Sequence, residues 1–252
     1  MPPILPKSKA AQIRTLGQKK QREERGLFAV EGRKSVLELA RSGYVLQTLV
    51  CTEPFWAENG RSFDGKKCEV FICSQKDLES VSQFNSADAA LAVAAIPPQS
   101  PPRPFSGLTL ALDRISDPGN LGTILRTADW FGLKHLLASE NTVDFYNPKV
   151  LQASMGSFCR VAVRYVDLAA CLKSAGQPVL AAHRNGEPVH SFAFPKDCVL
   201  VLGSESHGIS PELMELCQKS VGIPSFGGAE SLNVAATAAI FCDNYRRATA
   251  SK

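Results

Sequence analysis

Three observations in this 252-residue sequence predict an α/β protein of two domains. Hydrophobic residues make up 44% of the chain and charged residues 21%, which is typical of a chain that folds around a buried core. Strand patterns alternate with helix patterns, which favours a mostly parallel sheet covered by helices. The stretch PPQSPPRP is stiff and extended and marks a boundary. We therefore expect a small domain at 1–96, a linker at 97–106 and a larger domain at 107–252.

In the first domain, the stretch GRKSVLELARSG at 32–43 has apolar residues at helical spacing and ends on a glycine, which is typical of a helix stop. Ser74 and Asp77 have the spacing of a capping box and predict the start of another helix. Short apolar runs predict strands at 27–31, 45–51 and 90–96.

In the second domain, LTLALD at 108–113 predicts a strand, and a helix with one apolar face follows at 121–131. Ser210 predicts the N-cap of a helix in PELMELCQK. The last helix is expected to begin near Ser231 and to continue toward Arg247. Further strands are expected in KHLLAS, VAVRYV, PVLAAH and CVLVLG.

Several classes of protein are excluded by what the sequence lacks. No G-x-G-x-x-G follows the first strand of the second domain, and neither the P-loop motif nor the G-x-S-x-G elbow occurs. None of the eight cysteines forms a C-x-x-C pair, so no metal site is expected and the cysteines are interpreted as core residues or free thiols. The chain has no apolar run long enough to span a bilayer and no signal peptide, so we expect it in the cytoplasm.

Three glycine-rich loops follow predicted strands of the second domain. In an open parallel sheet, ligands bind at the carboxyl ends of the strands, where glycines permit close approach of the backbone. One such loop alone would be interpreted as a tight turn, but three loops with unmatched polar residues predict a ligand site. They are DPGNLGTILRTA at 117–128, LGSESHGIS at 202–210 and IPSFGGAESLNV at 223–234.

These loops, in this order, resemble the three signature motifs of the SpoU (TrmH) family of RNA ribose 2′-O-methyltransferases, in the SPOUT class. The first loop has NLGTILRTA, the second has GSESHG, and the third has IP followed by ESLNV. The resemblance extends over most of 108–247, and FAVEGRKSVLELA at 28–40 is similar to the family's substrate-binding domain. It implies a parallel-sheet domain with a trefoil knot, preceded by a small, ribosomal-protein-like α/β domain.

The family resemblance implies methyl transfer from S-adenosylmethionine to a ribose 2′-hydroxyl of a structured RNA, with ribosomal RNA favoured over tRNA. It also implies a homodimer formed through the knotted domain. The alternative is a non-catalytic RNA-binding protein that retains the fold. A third interpretation, methylation of a base or a protein, fits the ribose-type motifs less well.

The resemblance assigns roles to five polar residues. Arg126 is the family's proposed key residue, although by itself it is also a surface arginine that pairs with Asp129. Because arginine stays protonated, we expect it to bind a substrate phosphate and polarise the hydroxyl group, not to act as a base. The resemblance implies that Asn120 orients Arg126 or the substrate and that Glu205 fixes the motif geometry next to the donor. It places Ser231 and Asn233 at the substrate ribose and beside Arg126. By themselves, these residues are also interpreted as helix caps or, for Glu205, as a solvated loop carboxylate.

The resemblance also predicts that backbone groups bind the methyl donor, at Leu202, Gly203, Ile223 and Leu232. The second motif departs from the family pattern, in which Asn is common where Ser204 stands and Gly where Ser206 stands. Both changes keep a small residue. His207 occupies a place that is often basic, and as a lone loop histidine it is interpreted as structural or phosphate-facing.

Positive charge is concentrated at the N-terminus. Residues 1–35 contain nine Lys or Arg and three Glu, an excess of six positive charges, whereas the whole chain has a net charge of +4. Such a segment can bind phosphates through counterion release, although from charge alone a solvated face is the simpler interpretation. The candidate RNA-binding residues are Arg14, Lys19, Lys20, Arg22 and Arg33.

Overall fold

The computed structural model describes residues 5–84, 88–98 and 106–249. The chain divides into two compact units: Met1–Gln99 with Asp144–Arg160, and Ser100–Val143 with Val161–Lys252. Most of the predicted linker, residues 99–105, lies outside the described residues. The assignment of Asp144–Arg160 to the first unit is a feature that the sequence did not predict.

The helices and strands alternate along both units. In chain order, the helices are α1 (Lys7–Thr15), α2 (Lys19–Arg25), α3 (Arg33–Arg41), α4 (Glu53–Asn59), α5 (Gln75–Val81), α6 (Pro118–Trp130), α7 (Pro148–Ala153), α8 (Leu168–Lys173), α9 (Pro211–Leu216) and α10 (Val234–Thr249). The strands are β1 (Leu27–Glu31), β2 (Leu46–Cys51), β3 (Glu69–Ile72), β4 (Ala90–Ala95), β5 (Leu108–Leu112), β6 (His135–Ala138), β7 (Ala162–Tyr165), β8 (Val179–Pro188), β9 (Cys198–Leu202) and β10 (Lys219–Gly222).

The first unit contains a four-stranded sheet in the order β1-β4-β2-β3. Strand β4 is antiparallel to β1 and β2, whereas β3 is parallel to β2. Helices α1 and α5 pack on one face, where Ile13 and Leu78 join a buried cluster with Val50. The predicted small α/β domain is confirmed, and α5 begins as expected because the Ser74 hydroxyl accepts a hydrogen bond from the Asp77 N–H.

The segment Asp144–Arg160 belongs to the first unit because its side chains pack there. The ring of Tyr146 lies 4.6 Å from that of Phe28, measured between centroids. Arg160 forms an ion pair with Glu38, and Asp144 forms one with Arg22. These contacts join a segment that follows β6 to β1, α2 and α3 of the same unit.

The position of Arg22 corrects its prediction as an RNA-binding residue. Its side chain is 2% exposed. One guanidinium nitrogen donates to the carbonyl oxygens of Leu16 at 2.8 Å and Gly17 at 2.9 Å, and Nε donates to Asp144 at 3.1 Å. The guanidinium satisfies the carbonyl groups at the end of α1 and is therefore not available to a phosphate.

The second unit contains six parallel strands in the order β10-β8-β9-β5-β6-β7, which confirms the predicted parallel sheet. Every residue of β5 and β9 is buried, as expected for central strands of such a sheet. Helices α8 and α9 cover one face, and α6 packs against α10.

Two predicted helix boundaries in the second unit were wrong. Helix α9 ends at Leu216, because Lys219–Gly222 joins the sheet as β10. Helix α10 begins at Val234 and not near Ser231. Ser220 of β10 pairs with Ala181 of β8, whereas the next residue, Val221, pairs with Glu187. At this shift in register, a Cβ on Gly186 would lie 2.4 Å from the backbone nitrogen of Val221. Only glycine fits this crossing of the two strands.

Removal of the Arg22 side chain tests the ion pair to Asp144. We expect Arg22→Ala to lower the free energy of unfolding by about 3 to 5 kcal/mol, because it leaves a largely buried carboxylate without its partner. Urea denaturation followed by far-ultraviolet circular dichroism measures this change. The control is Lys19→Ala, whose exposed side chain should contribute within about 0.5 kcal/mol. Equal stability of the two variants would contradict a structural role for Arg22.

Candidate active site

The three glycine-rich loops leave the same edge of the parallel sheet. Strands β5 and β9 are neighbours and pair Leu112 with Leu202, so their loops begin side by side. The backbone N–H of Asp113 donates to the Leu202 carbonyl at 2.8 Å across this edge. The third loop follows β10. Strand β8 lies between β9 and β10, so β10 does not pair with β9.

Asp113 fixes the second loop against the first. Its carboxylate is 3% exposed and accepts a hydrogen bond from the backbone N–H of Ser210 at 2.8 Å. It also pairs with Arg114, whose guanidinium donates to the Gly208 carbonyl at 3.4 Å. Asp113 was not among the residues predicted from the sequence, although a carboxylate directly after a mainly apolar strand was a signal for such a role.

A network of side chains from all three loops lies at this edge. Oε1 of Glu205 accepts hydrogen bonds from Nδ2 of Asn120 at 2.7 Å and from Nδ2 of Asn233 at 2.9 Å. The same Nδ2 of Asn233 lies 2.9 Å from Oδ1 of Asn120. Each loop contributes one member, so the network joins the three predicted motifs.

The start of α10 fixes the orientation of the Asn233 amide. Its Oδ1 accepts from the N–H of Ala235 at 2.9 Å and of Ala236 at 3.3 Å. Because the oxygen is held by these N–H groups, the nitrogen must face Glu205 and Asn120. Asn233 therefore caps the last helix, as one of its two interpretations expected, and its amide nitrogen also joins the network.

Asn120 does not cap α6. The N-cap is Asp117, whose carboxylate accepts from the Asn120 N–H at 2.8 Å. The Asn120 amide contacts Glu205 and Asn233, whereas we expected it to orient Arg126 or the substrate. Arg126 is exposed on α6 and makes no hydrogen bond or ion pair with any other residue that the structure describes.

The residues expected at the methyl donor form an uncharged, backbone-lined edge. Leu202 is buried, and a Cβ on Gly203 would lie 2.1 Å from the carbonyl carbon of Gly208. Ile223 is half-buried directly after β10, and Leu232 is 50% exposed. Such an edge offers backbone groups to a small ligand. The Leu202 carbonyl, however, is already used by the Asp113 N–H.

The structure gives Ser204 a local role. Its hydroxyl accepts from the N–H of His207 at 3.3 Å, and its carbonyl accepts from the N–H of Gly208 at 2.9 Å. These two bonds close the tight turn of the second loop. Ser206, His207 and Ser231 are exposed, and none of the three belongs to the network.

The remaining candidate RNA-binding residues differ in availability. Arg14 is exposed, and Lys19 and Lys20 form only exposed pairs with acids one turn away, at 3.7 and 3.8 Å. Arg33 is more constrained, because it pairs with Glu58 at 2.6 Å and lies over the ring of Phe55.

All eight cysteines are free, as the sequence led us to expect. Burial raises the pKa of the Cys51, Cys198 and Cys242 thiols to about 12, so these side chains stay protonated at neutral pH. Among the described residues, no helix is long and apolar enough to cross a membrane.

Known proteins share both units. The SpoU rRNA Methylase family profile matches residues 107–243, and the MRM3-like substrate binding domain profile matches residues 7–92. The 23S rRNA (guanosine(2553)-2′-O)-methyltransferase RlmP of Bacillus subtilis is 31% identical over 239 residues, which cover 90% of this chain and 92% of that protein.

Solved structures agree with these matches. A Porphyromonas gingivalis protein assigned to the TrmH family of RNA methyltransferases superposes with a TM-score of 0.86 at 35% identity, over 97% of this chain and 99% of that one. An AdoMet-bound rRNA methyltransferase from Sinorhizobium meliloti gives a TM-score of 0.85 at 29% identity, over 95% and 94%. The family resemblance that the three loops carry is thus confirmed, and this chain belongs to the SpoU rRNA methylase family.

Proposed function

We propose that this chain is an enzyme that transfers the methyl group of S-adenosylmethionine to a ribose 2′-hydroxyl of ribosomal RNA. The observation that carries the proposal is the Glu205 network, which joins the three family motifs beside the helix that presents Arg126. The B. subtilis relative is named as a 23S rRNA 2′-O-methyltransferase, which favours ribosomal RNA over tRNA. The eight free cysteines suit the reducing cytoplasm, where we place the enzyme.

The residues that would hold the methyl donor are Gly203, Ile223 and Leu232, through their backbone groups, with Leu202 behind them. When bound, S-adenosylmethionine supplies an electrophilic methyl group. The protein must then hold the acceptor hydroxyl in line with it and favour loss of its proton.

Arg126 is proposed to hold the acceptor nucleotide. Its guanidinium is exposed and makes no internal bond among the described residues, so it is available to a phosphate. A bidentate contact would orient the nucleotide, and the fixed positive charge would stabilise the oxygen as it loses its proton. Ser231, exposed two residues before Asn233, is proposed to contact the substrate ribose.

We also propose a homodimer formed through the knotted domain, with the knot in the last two loops. Trp130 follows Arg126 by four residues, so both lie on one face of α6, and Trp130 is 85% exposed. Tryptophan is enriched at the buried centres of subunit interfaces. Light scattering on the full chain tests this assembly, and a monomer at micromolar concentration that still transfers methyl groups would contradict it.

Binding of S-adenosylmethionine distinguishes an enzyme from the alternative, a non-catalytic RNA-binding protein. Titration calorimetry with S-adenosylmethionine should show saturable binding to the full chain. A protein that retains only the fold for RNA binding would give no heat of binding. Arg126, Glu205 and Asn233, all present, support the enzyme.

Replacement of Arg126 tests the acceptor role. We expect Arg126→Ala to lower the rate of methyl transfer at least about 100-fold, because one charged donor to the developing oxyanion is lost. The affinity for S-adenosylmethionine should stay within a few-fold of the parent value, since Arg126 is not among the residues proposed to hold the donor. Arg126→Lys should restore little activity, because lysine lacks the planar guanidinium group that can make two parallel hydrogen bonds to a phosphate. Transfer of tritiated methyl groups gives the rate, and parental activity in Arg126→Ala would remove this residue from the mechanism.

Two substitutions of Glu205 separate a fixing role from a proton-accepting one. Glutamine keeps an oxygen that can accept from both amides, so Glu205→Gln should retain activity within about tenfold. Glu205→Ala removes both bonds and should lower activity about 10- to 100-fold and weaken donor binding as well, since charge-assisted bonds join the loops. If Glu205 were the general base, the glutamine variant would be as inactive as the alanine variant.

The N-terminal cations are proposed to contact RNA phosphates. Neutralisation of Arg14, Lys19 and Lys20 to alanine should weaken binding to a large-subunit rRNA transcript and flatten its salt dependence by roughly 0.7 for each phosphate that is no longer bound. The matched control changes three exposed lysines of the second unit, Lys134, Lys173 and Lys196. Lys134 directly precedes β6 and Lys196 lies two residues before β9, at the sheet edge opposite the loops. An equal slope of log affinity against log salt in both triple variants would contradict the proposal.

A further inference from the structure

The third loop presents an aromatic side chain that the proposed mechanism does not use. Phe226 is 96% exposed. Its ring makes no aromatic or cation contact with any other described residue. Single exposed apolar residues are ordinary on protein surfaces. What distinguishes this ring is its place, because it lies between β10 and Asn233, in the loop that joins the Glu205 network.

Because Phe226 is 96% exposed, both faces of its ring are accessible. The two glycines that follow it also lie in open space, since a Cβ on either Gly227 or Gly228 would meet nothing within 4 Å beyond its chain neighbours. On the other side of Phe226, the Ser225 hydroxyl donates a hydrogen bond to the Gly227 carbonyl at 3.3 Å, and this bond does not involve the ring. A flat ligand can therefore approach the phenyl ring without displacing part of the protein.

Trp130 provides an informative contrast. It is also exposed, but it lies at the last residue of α6, whose thirteen residues begin at the loop edge. At 1.5 Å per residue, Trp130 lies about 18 Å along the helix from its start beside Asn120. Phe226 belongs to the loop edge, whereas Trp130 belongs to the far end of α6.

We propose that Phe226 stacks on an unpaired nucleobase of the RNA, beside the ribose that receives the methyl group. This inference rests on the proposed function. Proteins that recognise RNA loops commonly hold splayed bases against aromatic rings, and each such stack contributes measurably and with little sequence preference. A ribose cannot be fixed at the loops unless its nucleotide is fixed too, and Arg126 with Ser231 provides only polar contacts for this. Phe226 supplies the apolar surface.

The experiment uses the full chain and two RNA probes. One is a hairpin of about 20 nucleotides with an unpaired adenosine loop, and the other is the same hairpin with abasic loop positions. Fluorescence anisotropy gives the affinity for each. Stacking predicts that Phe226→Ala weakens binding of the adenosine hairpin between about fivefold and a hundredfold. Binding of the abasic hairpin should not change.

Further variants distinguish a stacked ring from an apolar contact. Phe226→Leu keeps apolar area but lacks a π-face, so it should behave nearly like alanine, whereas Phe226→Trp should bind as well as the parent or better. The control is Val45→Ala, which removes an exposed apolar side chain of the other unit. We expect no change of affinity in that variant.

Three results would overturn the inference. The first is equal affinity of Phe226→Ala and the parent for the adenosine hairpin. The second is a change in the mass of the Phe226→Ala particle by light scattering, which would make the ring a contact with a second copy. The third is a loss of S-adenosylmethionine affinity. Failure of the proposed function is a separate result, because the parent chain would then neither bind S-adenosylmethionine nor transfer its methyl group.

Discussion

One carboxylate oxygen connects the three loops on which the site depends. Oε1 of Glu205 accepts hydrogen bonds from Asn120 and Asn233, which belong to the loops after β5 and β10. Strand β8 lies between β9 and β10, so the third loop does not reach the other two by strand pairing. The network supplies this connection. Charged acceptors make stronger hydrogen bonds than neutral ones, which suits a single atom that serves two donors.

Close packing and buried hydrogen bonds shape the edge at which the second loop leaves the sheet. Gly203 admits no side chain, since a Cβ would lie 2.1 Å from Gly208. Buried Asp113 is committed to the N–H of Ser210 and to Arg114. The polar groups near the donor edge are therefore used to shape the loops. The proposed function assigns the methyl donor to backbone groups of this edge and the acceptor nucleotide to Arg126.

Much of the second unit was predictable because its central strands are continuous apolar runs and parallel strands place their loops at one edge. The family motifs then identified Asn120, Glu205 and Asn233, although not that they bond to one another. Helix α2, KKQREER, has no apolar face, and β10 has only four residues. Neither segment therefore shows a periodic pattern of apolar residues that would predict it. Arg22 was mistaken for a surface cation because its partner Asp144 lies 122 residues away. The pattern of residues within one short segment contains no information on partners that lie so far along the chain.

The position of the transferred methyl group tests the central claim most directly. Large-subunit ribosomal RNA from cells of the source organism that lack this protein is incubated with the purified chain and radiolabelled S-adenosylmethionine, then hydrolysed with alkali. A 2′-O-methyl group blocks cleavage at its own phosphodiester, because the attacking hydroxyl is gone. We predict label in alkali-stable dinucleotides and none with Arg126→Ala. Label in mononucleotides, which marks a methylated base, would contradict ribose methylation.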